Sequence, residues 1–285
     1  MTAVLLALAA SAAWGTSDFL GGLKAKTVPL ATVLLVSQGV GLTAVAILLA
    51  SLGRPIPAEE TLLLSLPGGA ALVTGLGLLY VALARGPVIT VAPVAAAGAT
   101  LPGAVGVLSG DPLSAPIVAG FACALCGSFA AAYQPAADES SARTSSGALP
   151  ALGAAVAIGT FLTLLDAASD ADPYWATGGI HVAGWLAALS FLAASGQRST
   201  SLDDLAPLTW LALAAIGVCG VIADGAFATA SRMGDLSVVS VLASLYPVAT
   251  MLLAFALLCE RVRGVQLAGA GLALTGIALL AAANG

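Results

Sequence analysis

Apolar residues run through this chain in long stretches, broken at short intervals by charge, glycine or proline. Windows of about 20 mainly apolar residues, enough for an α-helix to cross the hydrocarbon core of a bilayer, recur along it. They fall near 2–23, 28–51, 62–84, 87–108, 114–133, 148–168, 174–195, 208–231, 235–258 and 265–283, ten in all. Between them stand short links such as Gly53-Arg54-Pro55, Gly110-Asp111-Pro112 and Asp170-Ala171-Asp172-Pro173. Tight links predict antiparallel neighbours. The segments are about twice the length of a membrane β-strand and do not alternate, which argues against a barrel.

One longer polar stretch, QPAADESSARTSSG at 134–147, divides the chain nearly in half. It reads as a solvated linker, leaving five spans in 1–133 and five in 148–285. An odd number turns the second half over in the membrane. The expected fold is therefore an all-α integral membrane protein of ten transmembrane helices in two inverted-topology five-helix repeats. Internal echoes support the doubling. Gly86 pairs with Gly234, Asp111 with Glu260, and Gly15-Thr16 with Gly159-Thr160. Gly120-x-x-x-Ala124-x-x-Gly127 matches Gly269-x-x-x-Ala273-x-x-Gly276, and Arg85 and Arg232 precede the paired glycines. Small residues at that spacing predict packing seams.

Composition settles the solvent. Of 285 residues 60% are hydrophobic and 8% charged, with mean hydropathy +1.06, against roughly 25% charge in a soluble domain. The partner is a lipid bilayer, and nine basic residues scattered singly argue against nucleic acid. Cys123 and Cys126 form a C-x-x-C inside an apolar run, where packing is the expected role and a metal or redox cofactor is not. The opening MTAVLLALAASAAWG lacks a positive n-region and is read as the first helix, retained in the mature chain. Lys24, Lys26, Arg85, Arg143, Arg198, Arg261 and Arg263 fall on one side and only Arg54 and Arg232 on the other. By the positive-inside rule, that places both termini outside.

Two acids stand out within apolar spans, Asp18 in the first and Asp224 in the eighth. A carboxylate there costs a few kcal/mol or more and normally faces a cavity or a partner. Ser11, Trp14, Gly21 and Gly22 share the face of Asp18, a stripe that resembles a cavity wall. Asp18 is either a proton carrier or a structural carboxylate bonded to a neighbour. Gly217, Gly220 and Phe227 share the face of Asp224, which suits a buried interhelical hydrogen bond equally well. Asp166, near the end of its span, is placed to reach interfacial water. His181, the only histidine, has Tyr174, Gly178 and Trp185 on its face. It would either titrate near neutral pH or pack as a donor. In the ninth span Ser237, Ser240, Ser244 and Pro247 make a hydroxyl stripe ending at Tyr246-Pro247, a substrate contact or a packing seam. Gln38 adds a further polar side chain to the second span.

Trp14-Gly15-Thr16-Ser17 and the terminal pattern Gly234…Ser244-Leu245-Tyr246-Pro247-Val248…Glu260…Gly269…Gly276 resemble the drug/metabolite transporter superfamily, specifically a protein with two EamA domains. The resemblance spans essentially the whole chain. It implies secondary transport of a small organic solute, often export, with both termini cytoplasmic. That orientation opposes the one the loop charges give. Asp18 is not part of the general family pattern, so its role rests on physics alone.

The leading expectation is a multi-pass plasma-membrane transporter, secondary active or facilitative, for a small metabolite or amphipathic compound. It would work by alternating access, with protons coupled through Asp18, as a monomer or homodimer. Its substrate or coupling set is Ser11, Trp14, Asp18, His181, Trp185, Asp224, Ser240, Ser244 and Tyr246. A non-transporting scaffold or sensor is the alternative. An intramembrane enzyme is a remote third, since no G-x-S-x-G is present and Asp224 sits in Ile222-Ala223-Asp224-Gly225 rather than Gly-x-Gly-Asp. With no loop large enough for a nucleotide-binding domain, energy would come from a gradient.

Overall fold

A computed structural model describes residues 1–57, 59–85, 91, 94–132, 141–195, 205–258 and 264–283, side chains excepted at some positions in the fifth, sixth, tenth and eleventh helices. All regular structure among them is helical. In chain order come α1 (Thr2–Lys24), α2 (Leu30–Leu52), α3 (Glu59–Arg85), a 3-10 turn (Ala97–Ala99) leading into α4 (Thr100–Leu108), and α5 (Ala115–Ala132). They are followed by α6 (Ser141–Ala168), α7 (Pro173–Ser195), α8 (Pro207–Met233), α9 (Leu236–Ala243), α10 (Tyr246–Leu258) and α11 (Gly264–Ala283). Six of these, α1, α2, α3, α6 from Leu149, α7 and α8, are long and apolar enough to cross a membrane. Shorter apolar helices cover Val94–Leu108, Ala115–Gly127, Leu236–Thr250 and Gly271–Leu280. Large apolar side chains are exposed around the bundle, among them Leu5, Ile47, Leu63, Leu211 and Leu274. That surface fits hydrocarbon, where a helix already satisfies its backbone internally.

Local chemistry explains the helix ends. Pro207 opens α8 at a position where its missing N–H is harmless. Asp172, just before Pro173, accepts from the backbone N–H of Tyr174 at 2.8 Å and Trp175 at 3.1 Å, capping α7. Gly53 closes α2 with φ of 58°, and its N–H returns to Leu49. At the same level Arg54 pairs with Asp172 at 2.5 Å and lies 4.3 Å over the Tyr174 ring. Arg232 pairs with Asp166 and Asp170, so Asp166 meets an arginine rather than water alone. Asp111 accepts from Ser237 N–H at 2.8 Å at the start of α9. Burial, then the charge of Asp111, holds the nearby Asp235 carboxyl above the usual range.

Two sequence expectations change here. Residues 141–147, read as part of a solvated linker, belong to α6, which begins at Ser141. The window at 235–258 is not one helix but α9 and α10, joined through Ser244 and Leu245. Pro247 has no N–H for the Ala243 carbonyl, and the chain tightens instead, Leu245 N–H bonding Leu242 and Val248 N–H bonding Leu245. Gly86 and the hinge Glu260-Arg261-Val262-Arg263 lie outside the described residues. Cys123, Cys126 and Cys219 are free thiols.

Helix packing repeats itself. α1 packs on α8 as α6 packs on α3, and α2 packs on α8 as α7 packs on α3, while α2 meets α7, α4 meets α9 and α5 meets α11. The glycine contacts repeat too. A Cβ on Gly217 would lie 2.2 Å from the Ser37 carbonyl and 2.9 Å from the Gly41 nitrogen; one on Gly69 would lie 2.4 Å from the Ile180 carbonyl and 2.5 Å from the Gly184 nitrogen. Gly15 sits against the Tyr246 carbonyl as Gly159 sits against that of Gly98. In the α5–α11 seam Gly127 faces Gly269 and Ala273, and Gly276 faces Gly120 and Ala124. The two helices therefore run antiparallel, backbone against backbone, on the small residues that the sequence marks as seams.

Candidate functional site

On α1, Trp14 and Asp18 are one turn apart and share a face. They line a narrow, mainly apolar cavity. Its other walls are Leu72 and Leu76 of α3, Ala95, Ala96 and Ala99 around the 3-10 turn, Ile158, Phe161 and Leu162 of α6, and Ala243, Ser244 and Tyr246 at the α9–α10 break. Both halves of the chain contribute. The break matters because it stops α9 short and turns Tyr246 inward, its hydroxyl buried and without a hydrogen-bond partner among the described residues. Thr250, one turn on, donates to both the Tyr246 and Gly15 carbonyls at 3.0 and 3.1 Å, fastening α10 to α1.

The two intramembrane acids occupy different environments. Asp224 has both oxygens engaged: Trp14 Nε1–H donates to Oδ1 at 2.9 Å, and His181 Nε2 sits 3.1 Å from Oδ2. Gly41 gives the imidazole room, since a Cβ there would come within 2.9 Å of His181 Nδ1. Neither ring nitrogen makes a hydrogen bond among the described residues, so Nε2 meets the carboxylate as a close polar contact. Phe227 backs the indole, with ring centroids 5.7 Å apart. Asp224 is a buried interhelical acceptor joining α1, α7 and α8. Asp18 is the reverse case. It is 7% exposed, faces the cavity, and accepts no hydrogen bond among the described residues. Asp224, Tyr80 and Tyr246 lie close enough to interact with it electrostatically.

Removing the Asp224 acceptor strands the buried Trp14 indole N–H. Asp224→Ala is expected to destabilise the protein by about 1–3 kcal/mol, read as a lower midpoint of thermal unfolding in detergent.

Of the sequence-derived set, Trp14, Asp18, Ser244 and Tyr246 meet at the cavity, and His181 and Asp224 stand behind Trp14. The others are elsewhere. Ser11 is buried but does not line the cavity. Ser240 returns its hydroxyl to the Leu236 carbonyl at 2.6 Å. Trp185 lies in a lateral groove with Gly39, Thr43 and Trp210. The stripe around Asp18 also divides: Gly21 and Gly22 are filled by Tyr80 and Leu83 of α3, so they form a packing contact and not a cavity wall. The Gln38 carbonyl oxygen is buried without a partner among the described residues. Tyr80 and Phe161 were not legible in advance. Each is a single aromatic in an apolar span, and nothing in its neighbours marks the inward face.

Helices that are apolar on the outside, six of them long enough to span a bilayer, define a multi-pass membrane protein. Residues 145–282 match the EamA-like transporter family, so the second half of the chain is similar to that family. No curated protein matches the chain. A solved crystal structure is similar in fold, with TM-score 0.77 and 19% identity, covering 98% of each chain. That likeness extends the fold across the part the family match leaves out.

Proposed function

We propose that the chain is a secondary transporter of a small organic solute, working by alternating access in the plasma membrane and coupled to protons through Asp18. The observation that carries this reading is Asp18 itself, a buried carboxyl with no hydrogen-bond partner among the described residues, in a cavity walled by both halves. Buried polar groups are ordinarily satisfied, and one left free at an internal cavity is available to a proton or a solute. The exchange pattern of the helix contacts, with α5 and α11 antiparallel, supports two inverted repeats of residues 1–133 and 148–285. Two such repeats give two nearly equivalent conformations, one open to each side. The proline break at the cavity wall supports a moving element there.

The test uses the purified protein in liposomes holding a pH dye, offered labelled amino acids, nucleosides and amphipathic amines. Solute flux accompanied by a pH change in the vesicle is the expected result. Flux without a pH change removes the proton from the mechanism and leaves a facilitator. No movement of any solute would favour a scaffold or sensor instead.

A further inference from the structure

We propose that the solute bound in this cavity is an organic ammonium ion with a compact apolar body, its N–H groups bonded to Asp18 and to the hydroxyl of Tyr246. This rests on the reading of the cavity as a transport site and adds the chemical class of its occupant.

Three observations lead to it. Among the described residues Asp18 is the only charged side chain in the lining, and no lysine, arginine or histidine accompanies it there. Asp224 adds a second carboxyl behind Trp14, with both oxygens already engaged. With Asp18 the one charge in the described lining, the local field is negative and suits a cation while repelling an anion. The second observation is Tyr246, a lining residue that is 93% buried and whose hydroxyl has no partner among the described residues. It supplies a neutral acceptor near the carboxyl, which an N–H donor uses and a quaternary ammonium cannot. The third is the remaining wall. Trp14 and Phe161 add aromatic rings, which attract a cation and its hydrocarbon body, and Leu72, Leu76, Ile158 and the alanines offer no further polar atoms.

The chemistry requires no covalent step. The amine cation takes the place of the Asp18 proton, so binding to the protonated protein releases one proton. The groups facing Asp18 are Asp224 from α8, Tyr80 from α3 and Tyr246 from α10, with His181 of α7 behind Asp224.

Calorimetry on the full chain in nanodiscs, at pH 6 and pH 8, would test this with 2-phenylethylammonium, its anionic counterpart phenylacetate, neutral 2-phenylethanol and tetramethylammonium. The expected result is binding of the amine, weaker at pH 6, with proton release and no binding of phenylacetate. Asp18→Asn should weaken the amine by roughly 10- to 100-fold, the value of a charge-assisted hydrogen bond, and Asp18→Glu should retain part of it. Tyr246→Phe should weaken the primary amine about threefold to tenfold and leave tetramethylammonium unchanged. Should Asp18→Asn misfold, the pH dependence and proton release of the wild type carry the decision. Binding of phenylacetate or phenylethanol as tight as that of the amine, or amine binding independent of both pH and Asp18, overturns the assignment. Amine binding without vesicle flux overturns the transporter reading and keeps the site. Flux of an anion or neutral solute with no amine binding overturns the site and keeps the transporter.

Discussion

Asp18→Asn is expected to abolish proton-coupled flux while leaving the protein folded. The side chain keeps its shape and loses only the ability to carry charge. A buried charge–hydrogen-bond contact is worth about 2–5 kcal/mol when one partner is removed, so solute-driven proton movement should fall about 30-fold or more. The thermal midpoint should not fall. Asp18 accepts no hydrogen bond from the described residues, and replacing an unpartnered buried carboxyl by a neutral amide relieves a desolvation penalty. That combination separates Asp18 from Asp224, whose loss strands the Trp14 indole and lowers stability first. Flux in Asp18→Asn equal to wild type, measured with the same pH dye, would make Asp18 a bystander.

The second large effect is structural. Gly217→Leu should prevent the recovery of a monodisperse folded protein, and Gly217→Ala should cost about 1–3 kcal/mol. The added Cβ would meet the Ser37 carbonyl at 2.2 Å and the Gly41 nitrogen at 2.9 Å. Both are backbone atoms and cannot rotate away, so α2 and α8 must separate. Gly41 also seats His181, and the damage would reach the Asp224 contact. Gly220→Ala is the control, since nothing among the described residues lies within 4 Å of its added Cβ. A small gain of about 0.5–1 kcal/mol is expected there from better helix propensity. Size-exclusion profiles and unfolding midpoints of the three variants check the ordering. Equal behaviour of Gly217→Ala and Gly220→Ala would show that the α2–α8 contact is looser than described.

Gly217 and Gly220 illustrate how far a pattern reaches. Both share the face of Asp224 by helical spacing, and the sequence treats them alike. Only one meets another backbone, because a neighbouring helix crosses at a point while a face extends along the whole length. Trp14 and Asp18 show the opposite outcome. Their one-turn spacing puts them together in any helix, and the cavity keeps them together. Ser240 and Ser244 share one stripe as well, yet the first is buried against its own helix and the second lines the cavity, because the chain tightens between α9 and α10.

The sequence alone determined the solvent, the helical class, the α5–α11 seam and the odd acids. Each is a local property: hydrocarbon excludes charge along every apolar span, small residues at fixed spacing permit close approach, and an ionisable group in such a span is conspicuous by itself. The tertiary structure decided which acid is free. Asp18 and Asp224 are alike as residues in apolar helices. They differ only because the crossing of α1, α7 and α8 brings Trp14 and His181 to one of them and leaves the other facing a cavity. Hydrogen-bond satisfaction depends on atoms far apart in the chain, and no local pattern records it.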